Sequence, residues 1–163
     1  MIEDCEETCF LRELDICSIC DVPYKGMKIL ARIINVIDGD TVKVAIRLGT
    51  FPYKLNIRVC GVDCPESTKR FASCDLEMQA GKKSKEYTSS LLKVDDIVYI
   101  RLDKNDKYGG RYVGDIYISG MYPCKNTDEC LSSLLIKNGY AKPYDGKKKS
   151  QWQTAELTKI CNM

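Results

Sequence analysis

Histidine is missing from the chain altogether. That absence excludes a Ser-His-Asp triad, a Cys-His dyad, a His-ligated zinc hydrolase and a histidine general base. Proton transfer near neutral pH is left to carboxylates, lysine, tyrosine, cysteine or metal-bound water. No apolar run approaches the length that spans a bilayer. The N-terminus shows no basic segment followed by an apolar stretch, so no secretory signal is expected. The ten cysteines are therefore expected to be mostly reduced and the protein intracellular. No internal repeat or low-complexity segment interrupts the 163 residues, a length that suits one compact domain with a short appendage.

The net charge of +2 hides an uneven distribution. Residues 1–22 hold seven acids against one base, a net of −6, and the rest holds 24 bases against 16 acids, a net of +8. A basic body with an acidic head implies an anionic partner for the body. We divide the chain into an acidic, cysteine-rich extension (1–27) and a folded domain (28–163). Cys5, Cys9, Cys17 and Cys20 lie within sixteen residues, and such a set could hold one structural zinc ion. The seven residues between the two pairs are fewer than common zinc modules use, and incidental thiols on a flexible segment are the competing reading.

From Lys28 the pattern turns to short strands. Lys28–Ile37 is dense in β-branched residues, and Asp38-Gly39 signals a tight turn. Val42, Val44 and Ile46 alternate with Lys43, Ala45 and Arg47, then Leu55, Ile57 and Val59 repeat the alternation with Arg58 on the opposite face. Helical spacing follows over 75–92, weakened by Gly81. Strands are predicted at Ile97–Leu102 and Tyr112–Ile118, with a polar loop over Asp103–Arg111. A helix is predicted from Asn126 to Gly139 and a last one from Ser150 to about Ile160, anchored by Trp152. This order describes an α+β chain whose five strands can close into a partly open Greek-key barrel of the OB type.

Three polar segments could carry chemistry: Asp38-Gly39-Asp40-Thr41-Val42, Arg58 through Asp63-Cys64-Pro65-Glu66, and Asp106-Lys107-Tyr108-Gly109-Gly110-Arg111. Each alone reads as a turn or a connection. Together they place Asp40 and Asp63 near strand ends, where two carboxylates can converge on one hard cation. Arg58 and Arg111 supply planar forks suited to phosphate. Glu66 lies close enough to share the site and is the natural base for an attacking water. Three carboxylates, two arginines and a divalent cation leave one positive charge, which one phosphodiester cancels.

These segments resemble, in order and separation, the motifs of the staphylococcal nuclease (thermonuclease-like) family over roughly residues 28–155. The stretch Asn138-Gly139-Tyr140-Ala141-Lys142 is similar as well. The resemblance implies a five-stranded OB-like barrel with three helices. It also implies calcium-dependent cleavage of DNA and RNA, with calcium preferred over magnesium. Asp40 and Asp63 match the family's metal-binding carboxylates, and Cys64 stands where a backbone carbonyl is a ligand. Glu66 matches the proposed general base, Arg58 and Arg111 the phosphate-binding arginines. Lys107 and Tyr108 match residues that contact a terminal phosphate, and Tyr144 loosely matches a base-stacking tyrosine. Gly110 is an extra residue that could displace Arg111. A soluble monomer acting on DNA or RNA is expected. A non-catalytic OB-type nucleic-acid-binding module remains the alternative.

Overall fold

A computed structural model describes Glu13 and residues 25–106, 110–118 and 130–163. Cys5, Cys9, Cys17 and Cys20, Lys107 and Tyr108, and the predicted helix start at Asn126 lie outside the described residues.

The alternating patterns become strands for the reason they were legible. Val42, Val44 and Ile46 of one strand and Ile57 and Val59 of the next are buried, while their neighbours face outward. The strands are β1 (Lys28–Asp38), β2 (Thr41–Leu48), β3 (Phe51–Val59), the two-residue β4 (Val62–Asp63), β5 (Ile97–Asn105), β6 (Arg111–Tyr117) and the two-residue β7 (Lys142–Pro143). Five of them form a closed barrel in the order β1-β2-β3-β6-β5, with β5 returning to β1. The barrel is thus closed rather than partly open, and mixed, because β3 and β6 run parallel. Ile33, Val42, Val44, Ile57, Ile100, Leu102 and Ile116 fill it.

Among the described residues three helices pack outside: α1 (Asp75–Leu91), α2 (Leu131–Lys137) and α3 (Thr154–Cys161). Helix α2 ends as expected, with Asn138 as the cap and Gly139 at φ +76°. Helix α3 begins at Thr154, later than the predicted Ser150, because the Gln153 N–H donates to Glu156 Oε2 at 2.7 Å and fixes the start there. Arg111 opens β6 instead of closing a loop. Lys25 and Gly26 already contact Leu102, so attachment to the barrel begins slightly before β1. No helix among the described residues is long and apolar enough to cross a membrane.

Gly81 explains itself in three dimensions. A side chain there would meet the backbone of the loop after β4, lying 2.6 Å from Ser67 N and closer still to the Glu66 carbonyl. The residue that weakens α1 as a helix lets it lie directly on the segment carrying Glu66.

Candidate active site

The site is assembled where three connections meet: the β1–β2 turn, the segment from β4 to α1, and the loop between β7 and α3. Asp38 pairs with Thr41, so Gly39 and Asp40 are the two turn residues. Gly39 is needed for closeness, since a Cβ there would lie 2.8 Å from Ser84 Cβ and 2.9 Å from Cys64 Sγ. Its carbonyl accepts the Thr88 hydroxyl at 2.7 Å, which ties the turn to α1. Asp40 is consequently buried and aimed. Its Oδ1 accepts the Thr41 hydroxyl at 3.2 Å, and its Oδ2 accepts the Cys64 N–H at 2.9 Å.

Arg58 joins the first two connections. Its Nη1 contacts Asp40 Oδ2, and its Nη2 lies 3.3 Å from Asp63 Oδ1. Both carboxylates therefore grip one guanidinium and stand on either side of it. The third connection adds Lys149, whose Nζ lies 2.8 Å from Asp63 Oδ1 and 3.0 Å from Glu66 Oε1. Burial draws the Lys149 ammonium downward, but its hydrogen bonds to Asp63 and Glu66 outweigh that and raise its pKa above the ordinary value. Asp40, Arg58, Asp63, Lys149 and Glu66 thus form one alternating chain of charge.

Arg111 lies opposite Asn56, and Val113 lies opposite Arg58, in the parallel β3–β6 pair. The two arginines accordingly share the outer face of the barrel wall, one diagonal step apart, and the extra Gly110 is absorbed at the strand's entrance with φ +65°. Arg111 Nη2 is held by Asp106 at 2.7 Å. Tyr144 lines a cleft of about 430 Å³ together with Gly61, Asp63, Asp145 and Lys148. Its N–H donates to the Gly61 carbonyl at 2.9 Å.

Two participants were missed in the sequence. Lys149 sits in a run of three lysines that reads as a solvated loop. Glu77 is buried in the first turn of α1 and accepts the Ser73 N–H at 2.7 Å and the Glu66 N–H at 3.5 Å, so it braces the loop behind Glu66. An acid in a helix's first turn is a common stabilising choice, which concealed its second job.

The donor set fits a hard cation of open coordination. Asp40 and Asp63 offer carboxylate oxygens, and a calcium ion takes six to eight oxygen ligands, many of them water. Among the described residues no three acids or thiols enclose a metal by themselves, since Arg58 and Lys149 stand between the carboxylates. Water and substrate oxygens would have to complete the shell. Cys64 is unsuited as a thiolate ligand: burial pushes its thiol up to about 12, although nearby Arg58 acts in the other direction.

The family model described as Staphylococcal nuclease homologue matches residues 56–162, about two-thirds of the chain. The chain belongs to the staphylococcal nuclease homologues. No curated protein matches it. As a staphylococcal nuclease homologue it is a member of a family of nucleases that act on nucleic acids, and its closed barrel with three helices is the expected OB-like architecture. The match covers Arg58, Asp63, Glu66, Arg111 and Lys149. Asp40 precedes it and is tied to this homologue's site by its contact with Arg58.

Proposed function

We propose that this protein is a calcium-dependent phosphodiesterase that hydrolyses DNA or RNA with Glu66 as general base. The observation that carries the reading is the meeting of Asp40, from the β1–β2 turn, with Asp63 and Glu66, from the β4-to-α1 segment, around Arg58 and Lys149. A protein that only bound phosphate would gain nothing from three carboxylates there, because they repel it.

Asp40, Asp63 and the Cys64 carbonyl would hold the cation. Calcium, when bound, supplies positive charge against phosphoryl oxygens as negative charge builds on them. Glu66 takes the proton of the attacking water. Arg58 and Arg111 hold the phosphate from one side of the barrel wall and gain strength as its charge rises, which is transition-state stabilisation. Lys149 occupies Glu66 Oε1 and must part from it before that oxygen can receive the proton. Tyr144 offers its ring to a base at the cleft beside Asp63.

The test is cleavage of DNA and of RNA in calcium, in magnesium and in chelator, by the parent and by Glu66→Gln. The parent should cut in calcium and stop in chelator. Glu66→Gln should be slower by about 10²–10⁴-fold while still binding nucleic acid. Cleavage at the parental rate removes Glu66 as base. A parent that binds but never cuts is a nucleic-acid-binding module instead.

A further inference from the structure

The stretch 41–59, which forms β2, its turn and β3, contains four bases and no acid. The strand register sorts these bases. Thr41 lies opposite Arg58, Lys43 opposite Asn56, Ala45 opposite Lys54 and Arg47 opposite Pro52. Paired residues point to the same side of a sheet, and side chains alternate along each strand. Lys43, Arg47, Lys54 and Arg58 therefore share one face. It is the outer face, because Val42, Val44, Ile46 and Ile57 on the other side are buried. The β3–β6 register adds Arg111 to the same face, beside Asn56.

The result is a ladder of positive charge that starts at Arg58 and climbs the hairpin to Arg47. Six residue steps of strand, from the Thr41–Arg58 pair to Arg47, make it roughly 20 Å long. Its lower end is neutralised, since Arg58 is paired with Asp40 and Asp63, and Arg111 with Asp106. Its upper part is not: among the described residues, Lys43, Arg47 and Lys54 form no ion pair. Lys54 and Arg47 are exposed and Lys43 is half-buried. A generic soluble surface mixes both signs. This one carries a single sign, in register, beginning at the phosphate site.

We propose that the outer face of the β2–β3 hairpin is the track for the nucleic-acid strand flanking the scissile bond, with Lys43, Arg47 and Lys54 each taking a backbone phosphate. This rests on the nuclease reading for the meaning of its lower end. Phe51, exposed at the hairpin tip, and Tyr53 alternate onto the other face, so the track offers charge and not stacking. Binding along it is therefore salt-dependent and indifferent to base sequence.

The experiment compares the parent with the triple variant Lys43→Gln, Arg47→Gln, Lys54→Gln and with the charge-conserving triple Lys43→Arg, Arg47→Lys, Lys54→Arg. Binding of a labelled oligothymidylate is measured in chelator across a range of salt. Three lost phosphate contacts should lower the slope of log K against log salt by about 2, and the charge-conserving variant should restore it. In calcium, KM for the long strand should rise while kcat and the cleavage of a dinucleotide stay at parental values. An unchanged slope, or equal losses on the long strand and the dinucleotide, overturns the track. The two readings fail separately. A parent that shows the slope but never cuts loses the nuclease and keeps the track. A parent that cuts with a slope indifferent to the three residues loses the track alone.

Discussion

Lys149 is a tethered cation placed where a mobile one has to compete. Its ammonium neutralises Asp63 and Glu66 together, so removing it should have opposite effects with and without metal. In chelator, Lys149→Met should melt at a lower temperature than the parent, because two neighbouring carboxylates lose their counter-charge. In calorimetric titration the same variant should bind calcium about tenfold more tightly, roughly 1.4 kcal/mol. Weaker calcium binding would mean that Lys149 orders the site instead of competing for it. Cys60 gives a second prediction of the same kind. Burial first, then the charges of Asp115 and Asp103, push its thiol from 9.0 up to about 12. A group whose folded pKa exceeds its unfolded one stabilises the fold below the unfolded value and loses that contribution as pH rises. Stability should fall through pH 9 to 12 in urea titrations, and Cys60→Ala should flatten that fall. At neutral pH Cys60 should also react with maleimide far more slowly than the exposed Cys74.

Elements matter here through where they touch the loops. Helix α1 supplies no proposed catalytic group, yet Gly39, Glu66 and Ser67 all rest against it. Gly81→Ala should cost about 1–3 kcal/mol by overpacking against the Glu66 backbone, although alanine is the better helix former. Thermal melts should show the loss, and cleavage should fall with it because Glu66 is displaced; a more stable variant with unchanged rates would contradict the packing argument. This residue also shows what the sequence can and cannot convey. Its cost to the helix was legible from propensity, but its purpose depends on a contact with a distant loop. The long strands were readable because one face of each is buried. Strands β4 and β7 hold two residues apiece, too few for any alternation to register, and yet they pair Asp63 with Lys142. Lys142 in turn bonds Glu156 at 2.6 Å and stacks over Trp152 at 4.2 Å. That anchor secures the loop bearing Tyr144 and Lys149. Asp40, Asp63 and Glu66 announced themselves by motif, whereas Lys149 reaches them only through folding across more than eighty residues.

For the molecule as a whole, charge is divided between an acidic head and a basic body. Replacing the seven acids of residues 1–22 by their amides should tighten binding to single-stranded DNA, most strongly at low salt, if the head screens the body. Identical affinities and salt slopes would show that it does not. The closed barrel has a consequence of its own. Arg58, Asp63 and Glu66 leave the ribosome early, but the wall that presents them is completed only when β6 lies down beside β3 and β5 returns to β1. Lys149 arrives later still. A half-made chain holds these side chains without the wall and the ammonium that arrange them, so the site and the barrel come into being as one event.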